Sequence, residues 1–189
     1  MSARTHLGGA SARPCPRIVE GSLHPSRGLY PPPWRRAPER WFGSLRAMSF
    51  WAKFLDDIVA GTNTPPPMVV AMRLPRIAGW EPGRVWGDWE LDKDMFHAGG
   101  SVFGGYLAAL ADSFTGLAMS STLADNEFFT TSDLRVAYFR PVTTDLHIVA
   151  EVLNRGRRQA HVEATFVDDR DKVACKATAT QVIMPRSEA

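Results

Sequence analysis

The chain has 189 residues, 44% hydrophobic and 22% charged, with a formal net charge of +2. That is enough apolar material for one buried core and too little length for two comfortable ones, so disorder throughout and fibrous classes are excluded. The basic excess is local: residues 1–47 hold eight arginines, no lysine and only Glu20 and Glu39, and the other 142 residues sum to about −4 on the same count.

This leader also carries half of the prolines, including Pro31 to Pro33. It shows no helical or strand periodicity, and such a composition cannot offset its ordering entropy by burial. It reads as a disordered tail, an Arg-rich targeting peptide, or translated upstream sequence with Met48 as the true start. The third reading is preferred. Trp34, Trp41, Arg35 and Arg36 lack a flanking fold that would make them a nucleic-acid surface. No apolar run is long enough to cross a bilayer and no secretory signal opens the chain, so a cytoplasmic protein is expected. Cys15 and Cys175 have no CxxC or His-rich company, which indicates neither a disulfide framework nor a metal site. Cys175 reads as a buried thiol in a strand.

From Met48 the pattern changes to a helix, with Phe50, Phe54, Leu55 and Ile58 at helical spacing. Residues 48–66 are expected to form this helix and a linker that ends in the breaker Thr64-Pro-Pro-Pro67. The domain proper is expected over 67–186. It begins with two β-rich stretches, Met68 to Ile77 and Arg84 to Leu91, joined by Glu81-Pro-Gly83 as a hairpin. A glycine-rich segment, His97 to Gly105, leads into one long helix reaching about Ser121. Leu107, Leu110, Ala111, Phe114 and Ala118 share a face of it. Its other faces are Ala, Ser, Thr and Gly, so the helix must be wrapped. Four alternating segments follow: Phe129 to Arg140, Leu146 to Asn154, Gln159 to Asp168 and Val173 to Met184. Their short connections make them antiparallel neighbours. The class is α+β, a helix held against a curved antiparallel sheet.

Asp112 is the one acidic or basic side chain from Ala98 to Ala124. Burial in an apolar helix would disfavour its charge and raise its pKa, as suits a general base or nucleophile. Equally, it can be an aspartate that fixes packing through hydrogen bonds from Ser113 or Ser132. Gly104-Gly105 lies at the helix start, where amides lack intrahelical acceptors and can face a developing oxyanion; close packing is the plainer role of such a pair. No GKS/T or GxGxxG unit accompanies it, which disfavours a phosphate loop.

The run Gly100-Ser-Val-Phe-Gly-Gly-Tyr-Leu-Ala-Ala-Leu-Ala-Asp112, then Asp133-Leu-Arg-Val-Ala-Tyr-Phe-Arg-Pro141 and Asn154-Arg-Gly-Arg157, resembles the hotdog-fold thioesterases of the phenylacetate-pathway (PaaI-like) type. The likeness spans about Arg84 to Met184. It implies a hotdog fold, a long central helix wrapped by a curved antiparallel sheet. It also implies hydrolysis of acyl-CoA to free acid and CoA, without metal or redox cofactor. The family pattern N-x5-HGG-x6-D is met at Gly104, Gly105 and Asp112, but His97 stands in place of the Asn and Phe103 in place of the His. Gly104 is the expected main-chain donor and Asp112 the expected carboxylate. Thr131 is expected to hold the attacking water, and His97 to donate to the thioester or partner Asp112, unless it is merely solvated. Phe103 and Gly105 join the substrate site. Arg140, Arg155, Arg157 and Arg158 would contact the CoA phosphates, or simply form a solvated basic turn. Tyr106, Phe114 and Met119 would line the acyl pocket, if they are not plain core. The family's site forms between subunits, so the implied partners are acyl-CoA and a second copy, as a homodimer or dimer of dimers, with no nucleic acid and no membrane. The rival reading is a non-catalytic hotdog protein that binds acyl-CoA or a protein; a hotdog hydratase is disfavoured, since its Asp-and-His signature is not evident.

Overall fold

The computed structural model describes residues 49–186. Expectations about the leader, Cys15 and a start at Met48 fall outside these residues.

Helix α1 (Phe50–Ala60) buries Trp51, Ala52, Leu55 and Ile58, whereas Phe50 is left exposed. The buried stripe is therefore one position round from the expected face. The Asp125 carboxylate accepts from the Phe50 amide at 2.8 Å and the Ser49 hydroxyl at 3.1 Å, placing a negative charge at the amide end of the helix. Gly61 ends the helix in the left-handed region at φ 70°.

The expected strand over Met68 to Ile77 is not formed. Residues Pro67–Ala71 make a short helix, α2, and the first strand, β1, is only Gly79–Glu81. Pro67 sits in the first turn of α2, where its fixed φ suits a helix and its missing N–H costs nothing. Pro75, by contrast, cannot donate to a ladder. The hairpin itself is present: β1 pairs with β2 (Arg84–Trp89) across Pro82-Gly83, with Trp80 opposite Val85.

After a single 3-10 turn (Lys93–Met95), α3 runs Gly104–Ser120, and β3 (Glu127–Tyr138), β4 (Leu146–Arg155), β5 (Gln159–Asp168) and β6 (Val173–Pro185) follow. The six strands form one antiparallel sheet in the order β1-β2-β4-β5-β6-β3. The α3 face expected from the sequence is the buried one: Leu110, Ala111, Phe114 and Ala118 have no exposure and Leu107 only 3%. It packs on the inner rows of β4, β5 and β6, including Ile148, Val162 and Phe166. Each such large side chain contributes about 1.5–3 kcal/mol of burial. This is the hotdog arrangement.

Strand β3 is the sheet's edge, and most of its residues are half-buried or exposed. Its register against β6 shifts between Thr131 and Asp133, leaving Ser132 as the extra residue of a bulge. Phe129 and Thr131 face the helix before the bulge; Leu134, Val136 and Tyr138 do so after it. One inserted residue thus reverses the parity of the strand.

Cys175, on β6, is free and fully buried. Burial pushes its thiol from 9.0 up to about 12. The thiol stays protonated in the folded state while the unfolded chain ionises, so its contribution is intact below pH 9 and is lost as pH rises towards 12. In a Cys15→Ser background, native protein at pH 8 should resist a thiol reagent that modifies the unfolded chain at once. Its unfolding midpoint should fall between pH 9 and 11 more than that of a further Cys175→Ala variant.

Candidate active site

Asp112 lies in α3, where the sequence reading put it, but it is not buried there. It is exposed in the single chain, on a stretch of α3 that the sheet leaves uncovered. Desolvation of the lone carboxylate is therefore not a property of this chain by itself. Asp112 opens onto a groove walled by Ala108, Ala109 and the β3 residues Thr131 to Leu134. Its hydrogen-bond partner is neither Ser113 nor Ser132. The Thr131 hydroxyl donates to Asp112 Oδ1 at 3.0 Å, while Ser132 donates to the Thr180 carbonyl. The bulge is what makes this pair. With the strand's parity set by Leu134, Val136 and Tyr138, an unbulged Thr131 would point away from the helix.

Gly104 and Gly105 open α3, and no side chain caps them. Phe103, at the N-cap, holds extended backbone (φ −62°, ψ 129°) and donates its own amide to the Met95 carbonyl at 2.8 Å. The two glycine amides fall among the four that a helix start leaves without intrahelical acceptors. Each glycine has a close neighbour. A Cβ on Gly105 would lie 2.3 Å from the Phe103 ring, and one on Gly104 would lie 3.3 Å from the Tyr138 ring. Tyr138 donates its hydroxyl to the Gly104 carbonyl at 2.7 Å. Burial first, and then Cys175 opposite it in register, push its phenol above the ordinary value. Tyr138 was not among the expected site residues. Its alternation with Leu134 and Val136 was visible, but nothing in a sequence brings the end of a strand over the start of a helix.

His97 does not meet Asp112. The Gly99 amide donates to its Nδ1 at 2.9 Å, so the neutral ring carries its proton on Nε2 and gives it to Ser101 Oγ, also at 2.9 Å. Both nitrogens are spent inside the 97–101 turn. His97 nonetheless borders a cavity of about 460 Å³ at the helix start, with Met95, Phe103, Gly105 and Tyr106.

A larger cavity, about 570 Å³, lies between α1, α2 and the second half of α3. Trp51, Phe54, Val69, Val70, Leu117 and Phe129 give it apolar walls, and Asp112 and Thr131 belong to its lining. Of the residues expected to line an acyl pocket, Phe114 and Met119 are instead fully buried core, and Tyr106 belongs to the smaller cavity, donating to the Arg73 carbonyl. Trp51, Phe54, Val69 and Val70 come from segments ahead of the expected motif, where polyproline and Val-Val gave no hint of a pocket.

The expected basic cluster is not one cluster. Arg155 aligns through Ala160 and Gln181 with Thr131, whereas Arg140 follows Tyr138 at the other end of β3. The two ends lie about 20 Å apart along the strand. Arg155 is also paired with the Glu127 carboxylate, while Arg157 and Arg158 are exposed at the turn. Among the described residues no three His, Cys, Asp or Glu side chains gather as a metal-binding group.

Residues 99–175 match the family model described as the thioesterase superfamily. A putative thioesterase of Ralstonia eutropha, named a phenylacetic acid degradation-related protein, is 24% identical with a TM-score of 0.61, over 68% of this chain and 98% of its own. A conserved protein of Pseudomonas aeruginosa is 26% identical with a TM-score of 0.59, over 64% of this chain and 95% of its own. A Streptococcus mutans protein, solved bound to acetyl CoA, is 22% identical with a TM-score of 0.54, over 59% and 90%. No curated protein matches the chain. The described residues share the hotdog fold of these structures, and the stretch matched by the thioesterase superfamily model lies within it. The chain is, as a class, a thioester hydrolase.

Deleting Ser132 should close the bulge and turn either Phe129 and Thr131, or Leu134 and Val136, away from the helix. A loss of about 2–4 kcal/mol in urea unfolding is expected, in the range of a large core truncation; Ser132→Ala, which keeps the residue count, should stay within about 1 kcal/mol of wild type.

Proposed function

We propose that the protein hydrolyses acyl-CoA thioesters, with Asp112 as base or nucleophile, Thr131 as the hydroxyl that orients it, and the Gly104 amide as oxyanion donor. The observation that carries this reading is the Thr131–Asp112 pair, which opens on one side to a groove and on the other to an apolar cavity. The acyl group fits the cavity by chemistry and size, since pockets of about 300–1,000 Å³ with mostly apolar walls suit such ligands. Water that gives its proton to Asp112 adds to the thioester carbon, or the carboxylate itself adds. The C–S bond then breaks, and the CoA sulfur leaves and takes a proton. The amide at the helix start stabilises the negative oxygen in between. On the carboxylate route, water afterwards hydrolyses the mixed anhydride to free acid. Residues 67–186 are the hotdog domain on this reading, and residues between Trp51 and Pro66 complete its acyl pocket. The acetyl CoA bound to the Streptococcus mutans neighbour supports the substrate class.

One chain is not enough for this chemistry. Gly104 and Asp112 are eight residues apart, about 12 Å along the helix axis. A single carbonyl cannot touch both. Two copies related by a twofold axis, with their α3–β3 faces together, bring the amide of one to the carboxylate of the other, which is why a homodimer or a dimer of dimers belongs to the proposal. Arg140 of one copy and the Arg155 to Arg158 turn of the other then flank the CoA phosphates together. No described helix is long and apolar enough to cross a membrane, in keeping with a cytoplasmic enzyme.

The rival reading, a binding protein without turnover, draws on Phe103, whose ring covers Gly105 where a polar histidine is usual in the family pattern.

Thiol release from a panel of acyl-CoAs decides between them. Asp112→Asn and Asp112→Ala should lower kcat at least about 100-fold with acyl-CoA binding retained. Gly104→Pro removes the amide proton at the one helical position where proline is tolerated and follows an already extended Phe103, so it should fold and lose about 100-fold in kcat. Co-assembled with Asp112→Asn, it should regain activity in mixed dimers, because one of the two sites then holds both intact groups. Binding without thiol release from any wild-type reaction establishes the rival.

A further inference from the structure

Strand β6 turns a row of small and apolar side chains towards α3: Cys175, Ala177, Ala179 and Ile183, each at 9% exposure or less. Gln181 stands in that row. It has no exposure at all, and neither its amide nitrogen nor its amide oxygen has a hydrogen-bond partner. Leaving both ends of a carboxamide unmet in a core costs more than an apolar side chain of the same size, so a purely structural part is poorly served by glutamine. Its neighbours say where it is aimed. In register Gln181 lies between Ala160 on β5 and Thr131 on β3. Directly opposed residues share a face, with Cβ atoms about 4.5–5.5 Å apart. A glutamine side chain spans that gap. Ala160, opposite on β5, and Ala179, next in the row, carry only methyl side chains. The Thr131 hydroxyl uses its proton on Asp112 and keeps lone pairs free to accept.

We propose that Gln181 is a positioning residue of this site: its carboxamide, unpaired in the single chain, turns about its side-chain bonds to donate to the Thr131 hydroxyl oxygen and thereby commits the Thr131 proton to Asp112. The inference rests on the function proposed above and deepens it. A free threonine hydroxyl rotates between acceptors. One that already accepts from a buried amide has a single direction left for its proton, and Asp112 is held for attack through it. Glutamine is retained in the core row at the expense of stability because the site needs its donor.

Gln181→Met, which keeps length and volume but removes the amide, tests this with Thr131→Val and the double variant. In acyl-CoA hydrolysis Gln181→Met should lower kcat about tenfold, the worth of one oriented hydrogen bond, with KM within about twofold. The double variant should be no slower than Thr131→Val alone. In thermal unfolding Gln181→Met should raise Tm by about 2–4 °C, and by more in the Thr131→Val background, where the amide has lost its acceptor. An unchanged kcat, multiplicative losses in the double variant, or a Tm rise that is absent or equal in both backgrounds overturns the assignment. If wild type releases no thiol from any acyl-CoA, the hydrolase reading falls by itself. The Tm cycle then still reads the Gln181–Thr131 contact.

Discussion

Helix α3 is seated by its apolar stripe, and almost every other feature takes its position from that seat. Leu110, Phe114 and Ala118 are shut against the sheet, and a close-packed core holds a helix in one rotation and one height. Once that rotation is set, Asp112 must emerge on the flank nearest β3. Gly104 must lie beneath the end of the same strand, where Tyr138 reaches its carbonyl. Asp125, just beyond the helix, then fixes α1 by its amide end, and α1 walls the cavity. The candidate site is therefore a by-product of packing, with one correction added by the edge strand.

That correction is the bulge at Ser132. A regular strand offers one face to the helix, and the face chosen by Leu134 and Val136 excludes Thr131. Inserting a residue lets both halves face inwards, the first half supplying Phe129 to the cavity and Thr131 to the carboxylate. Edge strands tolerate such insertions, since only one ladder is interrupted. Gln181, on the neighbouring strand, lies across from the bulge's first residue, so the polar groups that break the apolar rows of β3 and β6 do so at a single level of the sheet.

The order of elements was legible in the sequence because periodicity is a local property. The long helix, its buried stripe and four strands were all readable, and Gln159 to Asp168 coincides with β5 to the residue. The motif over Gly104 to Asp112 was legible for the same reason. What was not legible depends on partners far along the chain. Val69 and Val70 look like strand residues, yet Pro67 starts a helix there and no sheet edge awaits them. Phe114 and Met119 have the composition of a pocket lining and the location of a core. His97 looks available in the sequence, but both its nitrogens are closed into a five-residue turn. The separation of Arg140 from Arg155 required the strand register, which hydropathy does not encode.

Asp112 shows how a sequence argument about burial can fail for one chain and apply to the proposed pair of chains. A helix with no charged face implies cover on every side, and the sheet covers only one. The uncovered flank is Ala108, Ala109 and Asp112, beside an edge strand exposed along most of its length. Small side chains on a helix flank let another backbone come close, and an unpaired edge invites a neighbour. In the assembly proposed above, that flank meets its copy, the eight-residue gap between Gly104 and Asp112 is bridged from opposite sides, and the carboxylate leaves water only when the second copy arrives. The apolar helix is then a record of an interface, and the sequence signal belongs to the pair of chains.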